Sequence, residues 1–457
     1  MSAPPGRYVL RTVTIVALGG FLMGFDVSVI SGVVSFVEAE FALDKIEVGW
    51  AAASLTLSAT FSILCAGPLA DRFGRRAILR AAALIFTASA LLSAVATTFS
   101  MLIAGRLLSG LGVGAALVVA SMYIAELSPA SVRGRMVSVN QLFIVLGISA
   151  AFLSNWLILG IAEAQWNWRW MLGIGALPST IYFALLWTVP ESPRWLALHG
   201  RLDAARRVLS RAHGAELAEA ELAEAELAEV RTSLAREANT PKAPWRELWS
   251  PALRGVMSIG LTVAVLQQIT GMNAVLSYAP VIFQNAGANA DAAFMQAAYV
   301  GIVNLVFTVL AMLLIDRIGR RPLLMWGTAG MALSMGVIAF VPSLVLVGVL
   351  AFVASFAISL GPIMWVLLSE IFPNRVRGVA ISFVGLVNSG VSFLVQLLFP
   401  WEVANFGNSR TWMIYGAFAL TGFIVIWRIV PETRGRSLEE LEASLVRPSM
   451  PGVKTPS

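Results

Sequence analysis

The chain of 457 residues is 58% hydrophobic and only 13% charged, with a net charge of +6. A soluble domain carries about 25% charged residues, so a large soluble fold is excluded and a polytopic membrane protein is implied. The basic residues sit in short loops between apolar runs, which makes the positive charge an orientation signal rather than a nucleic-acid footprint.

A spanning helix needs about 20 mostly apolar residues. Twelve stretches qualify, and we number them spans 1–12: 11–35, 48–70, 77–97, 100–124, 136–160, 169–189, 253–285, 293–315, 322–342, 346–369, 379–401 and 410–430. The leading "MSAPPGRYVLR" lacks a cleavable signal pattern, so span 1 is read as a retained helix. Span 1 also contains the oddity "GFLMGFDVSVISGVV" (20–34), whose Asp26 would cost roughly 2.5–3.5 kcal/mol at the centre of a membrane helix. The single cysteine, Cys65, lies within span 2 and leaves no intrachain disulfide to form.

The loops between spans alternate in charge. "DRFGRR" (71–76), "SVRGR" (131–135), "DRIGRR" (316–321), "NRVRG" (374–378) and the long 190–252 connection fall on one side. "EAEFALDKIE" (38–47), "AEAQWNW" (162–168) and "NAGANAD" (285–291) fall on the other. The positive-inside rule then places both termini and the 190–252 segment in the cytoplasm.

The two halves repeat. Asp71-Arg72-Phe73-Gly74-Arg75-Arg76 recurs as Asp316-Arg317-Ile318-Gly319-Arg320-Arg321, "AELSPASVRG" (125–134) as "SEIFPNRVRG" (369–378), and "PESPR" (190–194) as "PETRG" (431–435). One near-constant offset for three charged motifs implies two six-helix bundles related by an axis along the membrane normal. Asp71, Glu126 and Glu191 with Arg72, Arg75, Arg133 and Arg194 are positioned to pair across helix ends on the cytoplasmic side. Asp316, Glu370 and Glu432 with Arg317, Arg320, Arg377 and Arg434 do the same in the second half. Each motif alone reads as a topology-setting basic loop. Together they read as a conformational latch, because pairs that form in only one state bias the equilibrium toward it.

The sequence resembles the sugar porter family of the major facilitator superfamily along nearly its whole length. The residues that carry the resemblance are "GFDVSVISG" (24–32), "ADRFGRR" (70–76), "GRLLSGLGVG" (105–114), "YIAELSPASVRG" (123–134), "PESPRWL" (190–196), "QQITGMNAVLSYAP" (267–280), "DRIGRRP" (316–322), "GPIMWVLLSEIFPNRVRG" (361–378) and "PETRG" (431–435). The resemblance implies an all-α membrane protein with twelve transmembrane helices in two bundles, a cytoplasmic helical domain between them, alternating access and a monosaccharide substrate. The expected domains are 1–195 and 251–435 for the bundles, 196–250 for the helical linker and 436–457 for a cytoplasmic tail. A multi-pass plasma (inner) membrane protein working as a monomer is expected, with sugar, protons and the bilayer as its partners. No nucleic acid and no cofactor are expected.

A sugar is a cluster of hydroxyls, and moving it out of water without replacing its hydrogen bonds costs several kcal/mol. Amide side chains both donate and accept, and the spans hold them: Gln141 in span 5, Gln267, Gln268 and Asn273 in span 7, Asn304 in span 8 and Asn388 in span 11. Trp365 in span 10 supplies a ring. In family members the matching positions line the sugar site. Membrane amides also glue helices together, and Trp365 also reads as a packing or interfacial residue. On one straight helix Gln267, Gln268 and Asn273 would point about 100° to 120° apart, so bending at Gly271 or Pro280 is needed to aim all three at one ligand. Gly361 and Pro362 weaken span 10 beside Trp365 in the same way. Ser277-Tyr278 stands where the family often carries a tyrosine pair at the outer gate, Ser389 where it often has tryptophan, and Ile148 where some sugar–proton symporters have glutamine.

Both histidines, His199 and His213, lie in the cytoplasmic connection, so a membrane-embedded proton carrier would have to be a carboxylate. Asp26 is read as the one deep carboxylate of the twelve spans. Its expected partner is Arg106: at 1.5 Å per residue, Asp26 lies roughly 13 Å and Arg106 roughly 9 Å below the outer surface. A cation whose distance changes with conformation switches such a carboxyl between holding and releasing a proton; a static ion pair is the alternative. In the family an aspartate here goes with proton-coupled symport. The readings in play are therefore a proton-coupled monosaccharide symporter, an uncoupled facilitator or polyol carrier of the same fold, and a non-transporting sugar sensor. The short tail speaks against the sensor, and no nucleophile–base pair or metal cluster in the spans supports an enzyme. The repeat "AELAEAELAEAELAE" (215–229) reads as a solvated acidic helix beside a basic one carrying Arg201, Arg206, Arg207 and Arg211, and the tail "VRPSMPGVKTPS" (446–457) as disordered.

Overall fold

The computed structural model describes residues 7–129, 132–163, 165–213, 245–373 and 375–436, with positions 225, 228, 232, 440 and 441. Among the described residues the ordered elements are helices and no strand occurs. A lipid-embedded segment must satisfy its backbone groups internally, and a helix does so within one segment. Eleven of the described helices are long and apolar enough to cross a membrane: Arg7–Gly32, Lys45–Phe73, Arg75–Ala94, Phe99–Leu127, Arg133–Ile161, Arg254–Asn285, Ala290–Ile318, Arg320–Phe340, Pro342–Ile371, Arg377–Phe406 and Asn408–Ile429. They are spans 1–5 and 7–12.

Span 6 is the twelfth, in two pieces, Asn167–Gly173 and Ala176–Leu185. The sequence reads as one helix there, but Pro178 lacks an N–H and its ring collides with the carbonyl four residues back. The break at Ile174-Gly175 stands just where that collision would fall. Span 11 runs to Phe406 through Pro400, beyond the expected end at 401. That brings Glu402 inside the helix, near its end.

The first unit comprises Met1–Pro241, Ser277–Gln284 and Ala288–Gly301. Lipid offers no hydrophobic drive for helices to associate, so close backbone approach at small residues does the work. Span 1 meets span 5 at Gly24 and Gly147. A Cβ on Gly24 would fall 2.0 Å from the Ile144 carbonyl oxygen, and one on Gly147 2.0 Å from that of Phe21. Gly110 and Gly114 do the same between spans 4 and 2. Around these contacts Val13, Val16, Leu55, Val119, Tyr123 and Tyr182 form the buried core. The second unit comprises Lys242–Leu276, Asn285–Gly287 and Ile302–Ser457. In it span 7 packs on spans 10 and 11, and span 9 on span 12.

Span 2 starts at a side-chain cap. Asp44 accepts from the Ile46 and Glu47 amides at 2.8 Å while Glu47 accepts from Asp44 N at 2.9 Å, a reciprocal capping box for span 2. The described part of the 190–252 connection includes the basic helix Leu202–His213. Of the 215–229 repeat, only positions 225 and 228 are described, both helical, and the 446–457 tail lies outside the described residues.

Candidate functional site

The repeated motifs build two matching clusters, one per unit. In the first, Gly74 turns the chain at φ +97° and span 3 begins at Arg75. The Glu191 carboxylate sits on that helix start and accepts from the Arg75 amide at 3.0 Å and the Arg76 amide at 3.3 Å. An acidic group is favoured there because the first N–H groups of a helix are otherwise unpaired and carry partial positive charge. The Arg75 guanidinium, 3% exposed, forks onto Glu126 at 2.8 and 2.9 Å and reaches Asp71 at 2.9 Å. In the second unit Gly319 (φ +106°), Arg320 and Glu432 repeat the arrangement: Glu432 accepts from the Arg320 and Arg321 amides at 3.1 Å, and Arg320 reaches Glu370 at 2.8 Å and Asp316 at 3.1 Å. A Cβ on either glycine would strike the capping glutamate, at 2.5 and 2.6 Å.

The other basic residues of the motifs make different contacts. Arg194 lies 4.0 Å from Glu126. Arg133 and Arg377 donate to the carbonyls of Ser128 and Phe372, and the Arg434 amide donates to Glu432 at 2.9 Å. Exposed Arg72 lies over the Phe73 ring, and neither it nor exposed Arg317 meets a carboxylate among the described residues.

Asp26 and Arg106 meet inside the first unit. Arg106 is 1% exposed, and its Nη1 donates to the Asp26 backbone carbonyl at 3.0 Å. The same nitrogen lies 3.4 Å from Asp26 Oδ1. The shorter bond goes to the backbone, so the guanidinium is tethered to span 1 whether or not the carboxyl holds a proton. Gln141 stands exposed on span 5.

In the second unit four of the expected amide residues converge. Span 7 stops at Ile269, turns through Thr270 and Gly271 (φ +89°), and restarts at Met272. A second kink falls at Tyr278 (φ −125°, ψ 16°), two residues before Pro280. The turn at Gly271 brings round Asn273, which a straight helix would aim elsewhere. Gln267 Nε2 donates to the Leu360 carbonyl at 2.8 Å, beside Gly361 and Pro362, where span 10 is interrupted. Asn388 Nδ2 donates to Gln267 Oε1 and to the Ala264 carbonyl, both at 2.9 Å. Gln268 Nε2 donates to Asn388 Oδ1 at 3.1 Å and to Gln267 Oε1 at 3.2 Å. Asn273 Nδ2 donates to Gln268 Oε1 at 2.8 Å and to Ser392 Oγ at 2.7 Å. Trp365 is exposed, with its ring edge toward Gly385 of span 11. Asn304 is buried but outside this network, and makes no side-chain hydrogen bond among the described residues. Ser277 and Tyr278 are buried at the second kink.

A match to the family model "Sugar (and other) transporter" covers residues 12–445. The chain belongs to the sugar porter family of the major facilitator superfamily. Among its relatives the arabinose-proton symporter of Bacillus subtilis is 37% identical over 436 residues, covering 93% of this chain and 92% of that protein. A probable polyol transporter of Arabidopsis thaliana is 36% identical, covering 95% and 85%. Among solved structures, the inward-open xylose transporter of Escherichia coli superposes with a TM-score of 0.84 at 33% identity, covering 96% of this chain and 100% of that one. The twelve-helix layout of this sugar porter matches that fold.

Sequence reading missed three polar groups. Ser392 and Gln396 extend the amide network along span 11, Gln396 Nε2 donating to Ser392 Oγ at 3.1 Å. Their signal was the four-residue spacing from Asn388, which keeps all three on one helix face. Glu40, beyond span 1, receives a fork from Arg169 at 2.7 and 3.1 Å and the Trp168 indole N–H at 2.6 Å. The Arg169 hydrogen bonds, before any other influence, hold its carboxyl below the ordinary glutamate range. This group borders a cavity of about 470 Å³ shared with Phe36, Gln284 and Phe294. Nothing local in the sequence links positions so far apart.

Proposed function

We propose that this sugar porter carries a monosaccharide, a hexose or pentose, into the cell by proton symport. The observation that carries the reading is the amide network at the break in span 7. Gln267, Gln268, Asn273 and Asn388 present donors and acceptors that bond to one another, so each can exchange a partner for a sugar hydroxyl without stranding a buried polar group. Trp365, exposed on span 10 with its ring toward Gly385 of span 11, offers an aromatic face to the sugar's C–H surface. Asp26 is the proton carrier in this reading. Arg106 stays anchored through the Asp26 carbonyl, so the carboxyl gains or loses its proton while the cation remains in place, and a small change in their separation alters which state is favoured. The Arg75 and Arg320 clusters act as the latch, bracing helix ends in one state and loosening in the other. The protein resides in the plasma membrane with both termini cytoplasmic, works as a monomer, and performs no enzymatic reaction.

The relative named as a polyol transporter, with Ser277 and Ser389 in place of larger aromatic groups, favours a polyol as the second substrate class. A panel of hexoses, pentoses and polyols in counterflow assays with proteoliposomes tests the reading. Saturable exchange of at least one monosaccharide supports it, and exchange of polyols alone replaces it with the second. No exchange of any of them sinks both.

A further inference from the structure

Asn388, Ser392, Gln396 and Phe399 follow at three- or four-residue steps along span 11, and all are buried. Glu402 continues the stripe one step further and is partly buried. A carboxylate within a spanning helix is expensive, and such groups face protein and a specific partner rather than lipid. Here the partner is Tyr415 of span 12, whose hydroxyl donates to Glu402 Oε2 at 2.8 Å. Tyr415 is 3% exposed and packs against Phe399 and Trp412, with ring centroids 6.2 and 6.5 Å away. Its ring also closes on span 7. A Cβ on Gly271 would lie 2.9 Å from Tyr415 Cδ1 and 3.1 Å from Cε1, so the ring rests directly against the turn. That turn is the pivot between Gln267 and Gln268 on one side and Asn273 on the other.

We propose that the Glu402–Tyr415 pair is a positioning element for the sugar site, a role that rests on the sugar-transport reading above. The carboxylate fixes the tyrosine ring, the ring buttresses the backbone at Gly271, and the buttress sets the angle at which Asn273 faces Gln268. A polar site must be held to within about half an ångström of its productive geometry by the residues behind it. Glu402 touches neither the network nor the sugar; it acts through Tyr415. The role needs an acceptor at position 402 and does not need a charge.

The test uses the full chain in proteoliposomes with radiolabelled D-xylose and D-glucose. It compares Glu402→Gln, Glu402→Leu, Tyr415→Phe and the Glu402→Leu/Tyr415→Phe double variant. Loss of one coupled hydrogen bond should raise KM on the order of 3- to 10-fold in Glu402→Leu and Tyr415→Phe, with maximal rate within about twofold of wild type. The double variant should be no worse than either single variant, because both remove the same contact. Glu402→Gln, which keeps an oxygen acceptor, should stay within about twofold of wild type. Unchanged KM in both single variants, multiplied effects in the double, or equal damage from Glu402→Gln each overturns the proposal. If Glu402→Leu does not assemble, the sugar-induced thermal shift of Tyr415→Phe decides: a weakened shift supports the role and a wild-type shift overturns it. Wild-type protein that carries neither sugar overturns the transport reading for these sugars and the pair's role with it. Sugar uptake in the wild type with unaltered variants overturns the pair's role alone.

Discussion

Asn388→Ala is the sharpest perturbation of the amide network. The side chain is 6% exposed, donates at 2.9 Å to the Ala264 carbonyl and to Gln267 Oε1, and accepts from Gln268 Nε2 at 3.1 Å. Alanine removes all three bonds. Gln267 and Gln268 keep their mutual bond, and Gln267 keeps the Leu360 carbonyl, so no amide is left wholly unpaired. The loss is then about three hydrogen bonds at about 1 kcal/mol each, or about 3 kcal/mol in the pre-set arrangement of the site. If the sugar reads that arrangement, affinity falls roughly 150-fold. Isothermal titration of purified protein with the transported sugar measures it directly. Asn388→Leu restores most of the volume but neither donor nor acceptor, and should lose as much. Affinity within about threefold of wild type in both variants would refute the claim that this network is the sugar site.

Three further outcomes follow from other parts of the structure. Gly147→Ala places a Cβ 2.0 Å from the Phe21 carbonyl oxygen, a backbone atom that cannot swing aside, and should lower stability by about 1–3 kcal/mol in thermal unfolding of the purified protein. Arg75→Ala strips the guanidinium from Glu126 and Asp71 and should cost up to about 3 kcal/mol in the same measurement, whereas exposed Arg72→Ala should stay within about 0.5 kcal/mol of wild type. Equal effects of the two arginine substitutions would remove the distinction drawn between them. Glu40 gives a pH signature: its folded-state pKa is depressed by Arg169, so its contribution is present above the ordinary glutamate range and disappears as pH falls through the lower folded-state value. Thermal midpoints should therefore converge for wild type and Glu40→Gln as the buffer is acidified, with wild type the more stable at neutral pH.

Much of the fold was legible because membrane burial writes itself into composition. Long apolar runs gave the spans, and a charged motif repeated in each half gave the paired bundles. The depths of Asp26 and Arg106 were readable, since rise per residue fixes where each lies along its helix, but not that spans 1 and 4 become neighbours. The turn at Gly271 was readable as a requirement, because no straight helix could bring Asn273 onto Gln268. Other features resist such reading. The interruption of span 6 had its signal in Pro178, which a hydropathy count does not weigh. Glu402 fell just past a span whose end hydropathy places only to within a few residues. The Glu40–Arg169 pair and the Gly24–Gly147 contact depend on which helices become neighbours, and no local pattern carries that information. Of eight arginines proposed for the latch, the repeat could not show that Arg75 and Arg320 take the central places. That follows from their being the first residues of spans 3 and 9, where the chain turns at a glycine.

The measurement that bears most directly on the central claim is sugar uptake by proteoliposomes with and without an inward proton gradient, in wild type and in Asp26→Asn. Accumulation above the external sugar concentration is expected only when the gradient is imposed on wild type. Asp26→Asn should lose accumulation while still exchanging sugar for sugar, because its amide network is intact. Wild-type uptake indifferent to the gradient, or gradient-driven accumulation that survives in Asp26→Asn, would contradict that claim.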